Sequence, residues 1–109
     1  VRRAVEMMRS SYGVNPAELK VVFAPAIHRC CYEVGQEFCH IFPEDMVPKY
    51  GHWFFDLQGA NQRQLEACGV FPEQIYDVGL CTCCQKDFFS YRRQKAAAGR
   101  HLSLLRLKL

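Results

Sequence analysis

The stretch KVVFAP (Lys20–Pro25) decides the fold class of this 109-residue chain. Its β-branched and aromatic residues predict a short strand, which the proline ends. The run is apolar at successive positions and does not alternate, as is typical of a strand that is buried on both faces. Such a strand needs helices packed against its sheet, so the sequence predicts an α/β fold with a layered mixed sheet and flanking helices.

A helix and a capped turn precede this strand. Apolar residues recur on one helix face at Val1, Ala4, Val5, Met8 and Tyr12. Gly13 then has the position of a helix end. The order Asn15-Pro16-Ala17-Glu18 is that of a capping box and predicts one helical turn.

Hydrophobic spacing and chain breakers predict the elements that follow the strand. They are a helix over Val34–Phe42, a loop over Pro43–His52, a helix from an Asp56 cap to Gly69, a strand over Ile75–Val78, an extended or loop-like segment over Phe88–Arg92, and a final strand over His101–Leu109. The sequence contains no internal repeat and no low-complexity linker. We therefore expect a single domain over residues 1–109.

The composition is that of a globular domain with a real core. Half of the residues are hydrophobic and 13% are aromatic. The net charge of +3 is too small to indicate nucleic-acid binding. No apolar run approaches the roughly 18 residues of a membrane span. We expect neither a nucleic acid nor a membrane as a partner.

Seven cysteines are many for this length, and their number is odd. With a full core and no recognisable signal peptide, they favour free thiols in a reducing cytoplasm over a disulfide scaffold. Cys81 and Cys84 form a C-x-x-C pair, and His28 and Cys31 have the same spacing. These four side chains are a candidate zinc knuckle, which would make the chain a non-enzymatic interaction module. The alternative, which the sequence favours, is that the thiols pack as small apolar groups, so that this chain alone binds no metal.

The segment Leu80–Arg100 combines thiols, aromatic rings and cations. The candidate catalytic residues are Arg92, Arg93 and Arg100, because a guanidinium group binds phosphate through paired hydrogen bonds. The candidate substrate-binding residues are Cys81, Phe89, Ser90 and Tyr91, with the two rings able to stack on a planar base. Simple strand alternation, with Phe89 and Tyr91 inward, explains the same pattern equally well.

Several segments stand in the order found in a known family. They are Ala24–Ile27, Cys30–Gly35, Asp56-Leu57 with Ala60–Leu65, Cys81-Thr82, Phe88–Arg93 and Gly99-Arg100. In this order they resemble the laccase-domain family, whose members are called multicopper polyphenol oxidoreductases or purine nucleoside phosphorylases. The chain resembles the C-terminal half of a member, so we expect it to be a fragment of a larger laccase-domain protein.

The resemblance implies an enzyme that cleaves adenosine, inosine or guanosine with phosphate and deaminates adenosine as a side activity. It implies a zinc or copper site made by two histidines and one cysteine of the N-terminal half, and no residue of this chain matches those ligands. The implied partners are a purine nucleoside, phosphate and the N-terminal half of the same protein. A half of this kind is expected to self-associate and to be inactive alone.

Overall fold

The computed structural model describes residues 1–108 and contains four α-helices and five strands within them. The helices are α1 (Arg2–Tyr12), α2 (Phe38–Ile41), α3 (Leu57–Ala67) and α4 (Tyr91–Gln94). The strands are β1 (Val21–Phe23), β2 (Glu33–Val34), β3 (Met46–Lys49), β4 (His52–Phe55) and β5 (Ile75–Asp77). The α/β class predicted from the sequence is confirmed. No helix among the described residues is long and apolar enough to cross a bilayer.

The strands form two small sheets. Strands β1 and β5 pair in parallel, with Val21 opposite Ile75 and Phe23 opposite Asp77. Strands β2, β4 and β3 form an antiparallel sheet in that spatial order. The strand predicted from Lys20 to Pro25 is confirmed in the parallel pair. Its predicted burial on both faces was wrong, because Val21 and Phe23 pack against the core whereas Val22 is 61% exposed.

The main core lies between the parallel pair and two helices. Val5 of α1, Leu65 of α3 and Val70 are buried together, and Phe23 packs against them. The boundaries of α1 and α3 follow the predicted signals. The helix predicted over Val34–Phe42 was wrong in its first half, because Val34 belongs to β2, which pairs with β4, and α2 begins only at Phe38. Gly13 ends α1 in the left-handed conformation, at φ 65°, where the lack of a Cβ removes the steric cost. At the start of α3, the Asp56 carboxylate accepts a hydrogen bond from the Gly59 N–H at 3.0 Å.

A second, aromatic core lies at the antiparallel sheet. The buried ring of Phe55 meets Phe42 at 4.9 Å, Phe38 at 5.4 Å and Tyr32 at 5.8 Å between ring centroids. These are the distances at which aromatic pairs attract beyond their buried area. The cluster joins α2 to the segment that follows β1.

The prediction of a loop over Pro43–His52 was wrong, because β3 and β4 form a hairpin there. Pro48 pairs with Trp53 in this ladder. Proline lacks an N–H, but β3 is an edge strand, so the missing donor breaks no ladder bond to a further strand. Tyr50 and Gly51 both have positive φ, 52° and 74°, as a two-residue hairpin turn of the mirror-image type requires.

Two predictions in the last fifth of the chain were also wrong. The extended segment predicted up to Arg92 ends earlier, since α4 begins at Tyr91 with Ser90 as its cap. Residues 101–108 form no strand, and Leu104 and Leu105 are about nine-tenths exposed, at 88% and 93%. Leu109, the last residue of that predicted strand, lies outside the described residues.

Candidate active site and thiol cluster

Two loops leave the same edge of the parallel pair. The first site loop (residues 26–35) follows β1, and the second site loop (residues 78–90) follows β5. The two chains continue side by side after the strands: the Ala26 N–H donates to the Leu80 carbonyl at 3.2 Å, and the Thr82 N–H donates to the Ala26 carbonyl at 3.1 Å. Ligand sites of α/β sheets lie beyond the carboxyl ends of parallel strands, and this is such an edge.

Four thiols meet between the site loops. The Sγ atoms of Cys30, Cys31, Cys81 and Cys84, here called the thiol cluster, all lie within 4.8 Å of one another. The Sγ of Cys84 is 3.5 Å from that of Cys30 and 3.3 Å from that of Cys31. Residues more than fifty positions apart in sequence are in contact here because β1 and β5 are adjacent.

The cluster differs from the ligand set considered in the sequence. Cys31, Cys81 and Cys84 are members, but His28 is not. The His28 ring instead faces Asp77, with 3.9 Å between its Nε2 and the carboxylate. Cys30 occupies the fourth position. The sequence favoured packing of the thiols as small apolar groups, and in the structure four of them lie next to one another.

The environment of the thiol cluster separates the acidities of its members. Burial raises the pKa of Cys81, but backbone hydrogen bonds from His28, Cys84 and Cys83 outweigh it and lower the pKa to about 6. Burial and the hydrogen bond to Cys84 raise the pKa of Cys30 to about 11. The same two causes raise the pKa of Cys31. Of these three cysteines, Cys81 therefore loses its proton most readily.

Arg93 braces the second site loop. Its Nη1 donates to the carbonyls of Thr82 at 2.9 Å, Cys83 at 2.8 Å and Gln85 at 3.3 Å. Its Nη2 donates to the Phe88 carbonyl at 2.6 Å. One side chain of α4 thus holds the backbone that carries two of the clustered cysteines.

Arg92 reaches across to the first site loop. Its Nη1 donates to the Glu33 carbonyl at 2.6 Å. Its guanidinium carbon lies 5.2 Å from the centroid of the Tyr32 ring, a cation–π distance. The side chain of Arg92 is exposed to solvent at the junction of the two loops.

The other candidate residues divide into buried and exposed ones. Ser90 and Cys81 are buried, and the Ser90 hydroxyl caps α4 by accepting from the Arg93 N–H at 3.3 Å. Phe89 and Tyr91 are exposed, at 48% and 65%. A Cβ on Gly99 would lie 2.7 Å from the Phe89 ring, so the glycine packs flat against that ring.

Arg100 is exposed on the same stretch. Its Nη1 donates to the carbonyl of the preceding Gly99 at 3.4 Å. His101 is next in sequence, and its Nε2 forms a hydrogen bond of 2.7 Å with the carbonyl oxygen of Phe89. The structure therefore brings Phe89, Gly99 and His101 together, with Arg100 at their edge.

The histidines of residues 1–108 do not assemble a metal site. His52 pairs with Glu33 at 2.6 Å, His28 faces Asp77, and His101 binds a carbonyl. Among the described residues, the group of potential ligands that does assemble is the thiol cluster, which contains no histidine. The set of two histidines and one cysteine implied by the resemblance does not fit the residues of this chain.

Comparison with known proteins identifies relatives over nearly the whole chain. The model of the family described as multi-copper polyphenol oxidoreductase laccase matches residues 1–108. Purine nucleoside phosphorylase YlmD of Geobacillus stearothermophilus is 34% identical over 102 residues, which cover 84% of this chain and 37% of that protein. Purine nucleoside phosphorylase of Borreliella burgdorferi is 36% identical over 95 residues, 79% of this chain and 40% of that protein.

The crystal structure of YlmD from Geobacillus stearothermophilus has the same fold. It superposes with a TM-score of 0.78 at 30% identity, covering 90% of this chain and 40% of that one. The chain therefore spans about two fifths of the length of these relatives.

Proposed function

The chain belongs to the multi-copper polyphenol oxidoreductase laccase family, and on that premise we propose that it supplies the C-terminal part of a purine nucleoside phosphorylase. The observation that carries the proposal is the match over residues 1–108 to a family with relatives of that name. The exposed arginines and rings around α4 support it, because they suit a ligand that has both a phosphate and a base.

The reaction joins phosphate to the anomeric carbon of the sugar as the bond to the purine nitrogen breaks. The electron pair of that bond goes to the base, which is protonated, so the products are a free purine and a sugar 1-phosphate. The protein must hold phosphate close to the anomeric carbon and stabilise the charge that moves onto the base. We assign the first task to this chain.

Arg92 and Arg100 are the proposed phosphate-binding residues. Both are exposed, and guanidinium N–H groups pair well with phosphate oxygens. Arg93 was grouped with them from the sequence, but its N–H groups bind four backbone carbonyls. We therefore assign Arg93 a positioning role, in which it holds the second site loop against α4.

The exposed rings of Phe89 and Tyr91 are the proposed flanks of the purine. Ser90 and Cys81 were predicted to bind substrate with them, and both are buried. We propose that these two act as the inner wall of the site. The Ser90 hydroxyl sets the start of α4, and so the position of the neighbouring aromatic rings.

The zinc or copper implied by the family would activate water for adenosine deamination, and its implied ligands belong to the N-terminal half. We propose deamination as a second activity of the complete protein.

The isolated chain is expected to be inactive, because it spans only about two fifths of the length of its relatives. The implied partner is the N-terminal half of the same protein. Free cysteines throughout support a cytoplasmic location.

Self-association stays a prediction of the same proposal. Leu102, Leu104, Leu105 and Leu107 each expose at least 80% of their surface. An apolar run of this kind is typical of a surface that another chain covers. Sedimentation of the purified chain over a range of concentrations tests the prediction, and a monomer at every concentration would contradict it.

The activity is tested in a chimera, since the isolated chain is expected to release no purine. Residues 1–109 replace the matching segment of the Geobacillus relative, and purine release from inosine is measured with and without phosphate. We expect release that requires phosphate. Loss of one charge-assisted phosphate contact is expected to reduce it by about 10- to 100-fold in each of the variants Arg92→Ala and Arg100→Ala.

Arg106→Ala is the matched control, because this arginine is also exposed but follows in the tail, beyond the residues assigned to the site. Release of purine that does not need phosphate would contradict phosphorolysis. Full activity of a variant that carries both Arg92→Ala and Arg100→Ala would contradict the assignment of these two arginines to phosphate. Inosine formed from adenosine by the same chimera would support deamination, and its absence would limit the proposal to phosphorolysis.

A further inference from the structure

The thiol cluster is built from both site loops and is separate from the arginines assigned to phosphate. Cys30 and Cys31 come from the loop after β1, and Cys81 and Cys84 come from the loop after β5. We propose that these four cysteines bind one zinc ion in a closed tetrathiolate site that fastens the two site loops together.

The spacing of the sulfur atoms fits a tetrahedral zinc ion. With Zn–S bonds of about 2.3 Å, tetrahedral geometry separates neighbouring sulfurs by about 3.8 Å. The distances from Cys84 Sγ are 3.3 and 3.5 Å, and every pair in the cluster lies within 4.8 Å. The side chains need to move by only a few tenths of an ångström to about one ångström to surround the ion.

The surroundings of the cluster suit the charge of such a site. When zinc binds, the thiols lose their protons to solvent, and Zn²⁺ with four thiolates carries a net charge of −2. The backbone N–H of His28 donates to Cys81 Sγ at 3.4 Å, and this hydrogen bond stabilises a thiolate. Two cations brace the same loops: Lys49 Nζ donates to the Cys30 carbonyl at 3.0 Å, and Arg93 donates to the Cys83 carbonyl at 2.8 Å.

A zinc ion held by four cysteines has no open coordination position, so its role is structural. Arg92 binds the first site loop through the Glu33 carbonyl, and Arg93 binds the second. An ion that joins the two loops therefore sets the distance between the backbone segments that position α4. This site is distinct from the one implied for the family, because it uses no histidine and lies wholly within this chain.

The first experiment is elemental analysis of the 109-residue chain, purified under reducing conditions without chelators. We expect one zinc per chain. Substituting a group that only supports a metal ligand already lowers metal affinity by about 10- to 100-fold. Cys84→Ser and Cys30→Ser each remove a ligand, so each is expected to lower zinc affinity by more than about 100-fold. The affinity is measured by competition with a chromophoric chelator. Both residues are exposed, so neither change removes a core side chain.

Cys39→Ser is the matched control, since Cys39 is a free, half-buried thiol outside the cluster. It is expected to retain one zinc. Equal loss of zinc from the control and from Cys84→Ser would overturn the proposal, and so would a wild-type chain that takes up no zinc even when titrated with it.

A second measurement uses the unsubstituted chain and does not depend on the folding of a variant. Replacement of zinc by Co²⁺ is expected to produce a thiolate-to-metal charge-transfer band and the intense visible bands of tetrahedral cobalt. A weak octahedral spectrum without a charge-transfer band would overturn the proposal. So would a mass spectrum, recorded under reducing conditions, in which the chain is two hydrogens lighter, because that mass would show a disulfide within the cluster. These readouts involve no nucleoside, so they are independent of the phosphorylase proposal.

Discussion

Replacing Arg93 with alanine is expected to loosen the second site loop and destabilise the whole chain. The guanidinium group donates to four carbonyls, three of them in partly buried hydrogen bonds and one, to Gln85, in an exposed bond. Bonds to a charged group contribute about 1.5–3 kcal/mol each. They are not additive, and the freed carbonyls regain some water, so we expect a loss of about 2–4 kcal/mol in the free energy of unfolding.

Urea denaturation followed by the fluorescence of Trp53, the single tryptophan, measures this loss. With a dependence of about 1–3 kcal/mol per molar urea, the midpoint is expected to fall by about 1–2 M. Zinc is kept at the same free concentration for every variant, because a bound ion adds its own stabilisation. Arg93→Lys keeps the charge but not the planar fork, so it is expected to recover only part of the loss.

Arg100→Ala is the control for this experiment, because it removes an exposed guanidinium that binds only its neighbouring carbonyl among the contacts described for residues 1–108. Its midpoint is expected to stay close to that of the wild type. If Arg93→Ala unfolds at the same urea concentration as Arg100→Ala, the four hydrogen bonds do not hold the loop, and the positioning role of Arg93 is refuted.

Three further changes test the core, a helix cap and the ring contact. Leu65→Ala opens a cavity at a side chain that is only 2% exposed. It is expected to lower the free energy of unfolding, measured by urea denaturation, by about 2–5 kcal/mol. A loss below about 1 kcal/mol would contradict the burial of Leu65. Asp56→Ala removes the N-cap of α3 and is expected to lower stability by about 1 kcal/mol, whereas Asp56→Asn should retain most of it. Gly99→Ala places a methyl group 2.7 Å from Phe89, so in the chimera it is expected to raise the KM for inosine by displacing that ring, and an unchanged KM would contradict the role of Phe89 at the base.

The elements with strong local signals were predicted well. The helix that ends at Gly13 and the helix that Asp56 caps both form where the residues indicate. The strand ended by Pro25 is confirmed as part of the parallel pair, and so is the strand that begins at Ile75. In each case a cap, a breaker or a periodic apolar face acts within a few residues, so the signal lies in the local sequence.

The failures concern elements that depend on distant partners. Strand β3 contains Pro48, a residue that predicts a loop until the neighbouring strands are known, and its place at the sheet edge is a tertiary property. The tail of alternating leucines has strand periodicity, but no strand forms over residues 101–108. Periodicity shows which side chains could be buried together, and a partner surface is needed to bury them.

The sequence by itself determined the α/β class, the positions of α1 and α3, the family and the residues able to take part in chemistry. Only the tertiary structure decided how those residues are divided, because the decisions depend on how strands and loops pack against one another. The parallel pairing of β1 with β5 brings Cys30 and Cys31 to Cys81 and Cys84. The same pairing leaves His28 facing Asp77. The packing of α4 likewise commits Arg93 to backbone carbonyls, while the adjacent Arg92 stays exposed at the junction of the two site loops.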